Sequence, residues 1–340
     1  MAVDAETSRE PHRLEDLWFD DGNLVIQAQS TLYWVYRGFL SSRSTVFEDM
    51  LALPQPPDAE LVGGCPLVRL PDPENEVTPF LKAIFLPEFF MPYPARTNFD
   101  DLSGCLRLSN KYEVDYLRKR SLVHLSSAFP MDLQQADRNY YDRTGAAWSY
   151  LAGCSASWPR PDELTFRIRA ILLAREVGAT WILPWAFYDL SVFISMQNAS
   201  TLHNTEPLSS MQAIQAIQTT FLSGHQAQIT ATSVDIMGCL GRKVVGCQTR
   251  EQCYRARLEA LERAWSLFRV SPSLSLHIWD NYDWKSVADD LCDTCLIGLK
   301  DALENARKEF FSNLPSMYEC SPWEELKRMR TAAIGANPFD

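Results

Sequence analysis

Apolar positions along the first 130 residues switch period three times, and each switch marks a change of element. Leu24-Val-Ile-Gln-Ala28 and Tyr33-Trp-Val-Tyr36 are short β-rich runs separated by Gln29-Ser30-Thr31, which predicts a hairpin. From Phe39 the spacing turns helical. Phe39, Leu40, Val46, Phe47, Met50 and Leu51 fall at helical intervals broken by Ser41-Ser42-Arg43-Ser44, so two short helices are expected to meet at a corner, the second capped by Ser44. Pro66-Leu-Val-Arg-Leu70 predicts a third strand, ended by Pro71-Asp-Pro73. Val77, Phe80, Leu81, Ile84 and Phe85 then share one helical face, with Thr78-Pro79 as its first turn. The Pro- and Gly-rich segment 54–64 reads as a loop, and 87–98, with three prolines, as an irregular connection. Helices are expected over Phe99–Leu108, Asn110–Leu117 and Arg118–Ser126.

After Pro130 strand-like alternation largely disappears. Leu164, Ile168, Ile171, Leu172 and Val177 line one face of a helix stopped by Gly178. Further helices are expected over Trp181–Ile194, Ser209–Leu222, Glu251–Phe268, Trp284–Phe311 and Pro322–Met329, with Leu258, Leu261, Ala264 and Trp265 on the inner side of the fourth of the six. The fold class is therefore α+β. A unit over residues 14–130 carries a short sheet covered by helices, and residues 131–340 form a mainly α-helical region.

Composition narrows the function. The 340 residues are 46% hydrophobic and 22% charged, which reads as globular, and the net charge of −11 opposes a general nucleic-acid footprint. The cluster Arg118-Lys-Arg120 reads as a solvated helix face. Met1 to Pro11 has no apolar run of the secretory kind, and the most apolar window, Ala179 to Ile194, is broken by Pro184 and Asp189 and too short to span a bilayer. The chain thus reads as intracellular, in cytoplasm or nucleus, with its nine cysteines mostly reduced. On that route the sequon Asn198-Ala-Ser200 has no use.

The block Tyr33-Trp-Val-Tyr-Arg-Gly-Phe-Leu-Ser-Ser-Arg-Ser-Thr-Val-Phe47, the helix Phe80-Leu-Lys-Ala-Ile-Phe85 and the late segment Leu106-Arg-Leu-Ser-Asn-Lys-Tyr-Glu-Val-Asp-Tyr-Leu117 follow one another in a telling order. In that order and spacing they resemble a BTB/POZ domain, particularly the large fungal groups, over about a third of the chain. The resemblance implies a docking domain without chemistry of its own. It implies a homodimer formed through the first strand and first helices, with Leu14, Trp18, Phe19 and Phe39 as candidate interface residues, although these side chains would equally serve as core. It also implies a protein partner, either a cullin-type ubiquitin-ligase scaffold or a corepressor. Three departures stand out. The family's usual histidine is Tyr36; its usual strand aspartate is Asn23, or is shifted to Asp20 or Asp21; and the 87–98 loop, near the family's cullin contacts, is long and proline-rich. The helical half resembles the region that follows the BTB unit in those proteins.

Little in the chain points to chemistry. No His-Glu-x-x-His, Gly-x-Ser-x-Gly or complete phosphate loop is present, and His277 reads as a packed residue. Cys292-Asp-Thr-Cys295 has the close spacing of a metal or redox pair. On a continuous helix both thiols fall on an apolar stripe with Leu296, Leu299, Leu303, Ala306 and Phe310, where cysteine acts as a small hydrophobe. Cys239, Cys247 and Cys253, separated by seven and five residues, match no tight zinc knuckle, and His277 and Cys320 stand apart. The sequence therefore predicts a non-catalytic interaction protein with no metal, no cofactor, and neither nucleic acid nor membrane as partner. A scaffold unrelated to ubiquitin or chromatin, or a structural zinc protein, is the alternative.

Overall fold

The computed structural model describes residues 10–53, 60–141, 157–158, 163–196, 208–336 and 338–339. The N-terminus through residue 9, most of the 54–64 connection and the Asn198 sequon lie outside the described residues. The chain divides into two compact units. One holds residues 1–128 with 152–160 and 331–340, and the other holds 129–151 and 161–330.

The first unit is built on a five-stranded sheet of order β1-β3-β2-β5-β4, formed by β1 (His12–Trp18), β2 (Leu24–Ala28), β3 (Thr31–Val35), β4 (Leu61–Val62) and β5 (Cys65–Leu70). The predicted hairpin is β2–β3, turning at Gln29 with a positive φ of 48°. β5 joins β2 in parallel, with Ile26 opposite Val68. The two short helices form as expected, α1 (Arg37–Ser41) and α2 (Thr45–Ala52). Ser44 caps α2 by accepting the Phe47 N–H at 3.0 Å, while its own hydroxyl donates to the Tyr112 carbonyl.

Three boundaries differ from expectation. β1, the first strand that the resemblance implies, leaves no trace in the hydropathy pattern because its sequence is polar and only Leu17 is fully buried, as suits an edge strand. α3 (Glu74–Phe85) begins five residues before Pro79, since Pro73 sits at the N-cap and Glu74 and Glu76 suit the first turn. The last three expected helices are two, α4 (Phe99–Lys111) and α5 (Asp115–Ser126), parted where Glu113 takes a φ of 53°. Phe47, Phe80 and Tyr112 stack at the centre of this unit, with Phe47 and Tyr112 centroids 4.6 Å apart.

His124 closes the far end of the same unit. Its Nδ1 accepts from the Ser157 hydroxyl and its Nε2–H donates to the Met91 carbonyl at 2.8 Å, so the neutral ring satisfies both partners. Burial holds its pKa below the ordinary 6.5. A folded pKa below the unfolded one means that the unfolded chain binds the proton first. Stability is then fully present above pH 6.5 and falls as the pH drops from there toward the folded value. Urea midpoints measured across that range should fall, and His124→Asn should flatten part of the slope. An unchanged slope in the variant would refute the assignment.

The second unit is helical: α6 (Leu133–Tyr141), α7 (Leu164–Glu176), α8 (Leu183–Met196), α9 (Leu208–Ala231), α10 (Met237–Leu240), α11 (Arg250–Val270), α12 (Asn281–Val287), α13 (Asp293–Met317) and α14 (Trp323–Ile334), whose last residues belong to the first unit. α8 is buried at every position from Leu183 to Phe193. α9 runs past its expected end at Leu222 and continues through a π-helical turn, Thr232–Ile236, into α10. Two corrections matter for the site. The inner seam of α11 is Cys253, Ala256, Ala260 and Ala264, whereas Leu258 and Trp265 are exposed. The single helix expected over Trp284–Phe311 is broken after Val287 by a short 3-10 turn, and α13 starts afresh with Cys292 at its N-cap.

Candidate metal centre and aromatic surface

That restart of α13 repositions the Cys292-Asp-Thr-Cys295 pair. Cys292 is extended (φ −68°, ψ 154°) and half-buried, so it does not lie on the helical stripe; Cys295 one turn on is buried and does. A cysteine pair straddling a helix N-terminus points both thiols toward the same spot. The stripe below it, Leu299, Leu303, Ala306 and Phe310, is buried as the sequence predicted.

Cys247 and Cys253 come to the same place from the other side. Cys253 sits in the first turn of α11, and Cys247 lies in the connection from α10, residues 241–249. Gly246 takes a φ of 81°, which a side chain there would resist, and this turn swings Cys247 toward α13. The four sulfurs of Cys247, Cys253, Cys292 and Cys295 all lie within 4.8 Å of one another. The stripe expected of a continuous helix thus keeps Cys295 but not Cys292, and the four sulfurs meet although no two pairs share knuckle spacing.

Polar hydrogens converge on the sulfurs. The Cys292 N–H donates to Cys253 Sγ at 3.2 Å, and Thr249 Oγ1 stands 3.1 Å from the same sulfur. Backbone N–H groups of Gln248 and Cys295 donate to Cys292 Sγ and pull its thiol down to about 6, near a neutral solution's pH. Burial pushes Cys253 up, but the Cys292 N–H and the Thr249 hydroxyl more than offset it, so that thiol too lies below its ordinary value. Cys295, desolvated and facing its three neighbours, is pushed up instead.

Other contacts hold the connection as well. Arg257 of α11 donates to the carbonyls of Arg242 (2.6 Å) and Cys253 (3.2 Å). Val244 packs on Gly298 of α13 so closely that a Cβ on Gly298 would stand 2.9 Å from it. Cys239 and Cys320, also weighed as ligands, lie outside the four-sulfur cluster.

His277 is packed, as expected, at 7% exposure. It faces Asp137 at 3.5 Å beside Arg307, and burial holds its pKa down. Asp137 comes from α6, which the sequence reading did not single out.

The sequence-predicted interface residues are neither core nor fully free. Leu14, Trp18 and Phe19 are half-buried and Phe39 is 40% exposed. Phe19 stacks on Tyr36 (5.0 Å) and leans on Phe85 (6.0 Å), which in turn meets Phe39 (5.4 Å). Arg13 covers Trp18 at 4.5 Å and Arg43 covers Phe39 at 5.1 Å. The positions that depart from the BTB pattern are neighbours: Tyr36 O–H donates to Asp21 at 2.5 Å, and Asn23 accepts the Arg37 N–H at 2.7 Å.

No protein-family model, curated protein or solved structure matches this chain. No helix among the described residues is long and apolar enough to cross a membrane.

Proposed function

We propose that this chain is a non-catalytic interaction protein of BTB type that self-associates through its first unit and recruits a second protein through its helical unit. The observation that carries the reading is the continuous aromatic surface Phe19–Tyr36–Phe85–Phe39, left partly open where β1, α1 and the end of α3 meet. An apolar surface of large rings beside the first strand and first helix is what a symmetric docking face requires. The element order supports it as well: hairpin, two short helices, a parallel strand, then three helices. On the helical unit, α11 presents Tyr254, Leu258 and Trp265 outward at one-turn and two-turn intervals, a stripe suited to a partner's apolar face.

Sedimentation of the full chain tests self-association. A concentration-dependent dimer is expected, and Phe39→Asp should weaken it by at least about tenfold, or roughly 1.4 kcal/mol, with unchanged circular dichroism. A strict monomer at tens of micromolar would sink the claim. Affinity capture from cells then separates the partner classes: a cullin scaffold makes the chain a substrate adaptor, a corepressor makes it a transcriptional regulator, and neither makes it a plain scaffold.

A further inference from the structure

We propose that Cys247, Cys253, Cys292 and Cys295 bind one tetrahedral zinc ion, and that the ion's role is to hold the 241–249 connection and the N-termini of α11 and α13 together. The site stands independently of the interaction reading.

Geometry carries the proposal. A zinc–thiolate bond of about 2.3 Å places the four sulfurs of a tetrahedron roughly 3.8 Å apart. Here all four lie within 4.8 Å of one another, so modest contraction completes the shell. They come from three segments of chain, and Cys253 and Cys292 are 39 positions apart. Disulfides would explain sulfurs in pairs; they give no reason for two pairs to share one point. An iron–sulfur cluster interposes its inorganic core between its thiolates, whereas a single ion gathers them onto one tetrahedron. Four soft anionic donors with no oxygen or nitrogen ligand select zinc among the common mononuclear ions, and a shell closed by protein on all four corners leaves no place for a reacting water.

The surroundings are those of a thiolate site. Three backbone N–H groups and one hydroxyl, from Gln248, Cys292, Cys295 and Thr249, are directed at the sulfurs, fixing their orientation and favouring the anionic form. Zinc would enter as its hydrated ion, shed its waters and displace the thiol protons to solvent. The local fold supplies a reason for the ion. The α11 seam is alanine apart from Cys253, and Val245 at the tip of the connection is 94% exposed, so the tip itself adds no apolar anchor.

The test uses the full chain, purified without chelator, and elemental analysis. About one zinc per chain is expected; less than about a tenth of an equivalent, or stoichiometric iron instead, overturns the assignment. Replacing the metal with cobalt(II) should give the ligand-field and charge-transfer absorption of a tetrahedral thiolate complex, and an octahedral spectrum would refute the site. Cys292→Ser, at a half-buried position, should lose most of the zinc, while Cys239→Ser and Cys320→Ser should keep it. Equal loss in all three would place the metal elsewhere. Should Cys292→Ser fail to fold, thiol counting on the native wild-type chain decides. Four thiols that become reactive only when a strong chelator removes zinc support the site, and two disulfides in their place exclude it.

Discussion

Replacing Asp189 with alanine should destabilise the helical unit by about 3–5 kcal/mol, because it removes the carboxylate that faces a buried guanidinium. Arg167 on α7 and Asp189 on α8 face each other at 3.1 Å with side chains 1% and 3% exposed. The Arg167 guanidinium also lies 4.0 Å above the Phe193 ring and donates to the Glu163 carbonyl at 3.0 Å. A cost of that size is a large part of the roughly 5–15 kcal/mol that holds a typical domain folded. Urea unfolding followed by far-ultraviolet circular dichroism reads it directly. The double variant Arg167→Met with Asp189→Leu should recover most of the loss, since an apolar pair of similar volume avoids desolvating both charges. If the single variant costs less than about 1 kcal/mol, water reaches the pair and the burial argument fails.

Asp189 also shows where sequence reading stops. In sequence it is a polar interruption of an apolar window. Its meaning depends on Arg167, which a helical pattern alone would place at random. Features set by neighbours in the chain were legible: the β2–β3 hairpin, the Ser44 cap, the corner between α1 and α2, and Gly178, which takes a φ of 74° after α7. Features set by tertiary packing were not. The α11 seam runs through Ala256, Ala260 and Ala264, and the larger Leu258 and Trp265, which hydropathy assigned to the core, face outward. The long helix expected through Trp284–Phe311 hid the break at Ala288–Leu291, and that break is what gives Cys292 its extended backbone. The clue present in the sequence was Asp289-Asp290 followed by Leu-Cys-Asp-Thr-Cys, acidic residues and a cap-like pair where a helix restarts. Cys247 and Cys253, separated by five residues, carry no signal in the sequence that pairs them with Cys292 and Cys295; only the tertiary fold brings the four sulfurs together.

Gly224 gives the opposite test, a position where sequence and structure predict different signs. It sits inside α9, where helix propensity favours alanine by about 1 kcal/mol, so propensity alone makes Gly224→Ala stabilising. Packing argues otherwise. A Cβ at this position would overlap the Tyr318 ring and stand 2.9 Å from the Met317 carbonyl oxygen. Tyr318 has little freedom to yield. It is 1% exposed, its hydroxyl donates to Gln228 Oε1 at 2.6 Å, and its ring stacks on Phe187 with 8° between planes. Moving the ring gives up that hydrogen bond and the stack; moving the backbone shifts the end of α13. Overpacking of this kind typically costs about 1–3 kcal/mol, enough to outweigh the propensity gain. Gly224→Ala should therefore lower the urea midpoint. Against a Tyr318→Leu background, with a narrower side chain at the point of overlap, the same substitution should cost less or become stabilising. The coupling between the two sites measures the clash apart from propensity. A stabilising single variant would mean that α9 and α13 have room to separate here, and that Gly224 is an ordinary helical glycine.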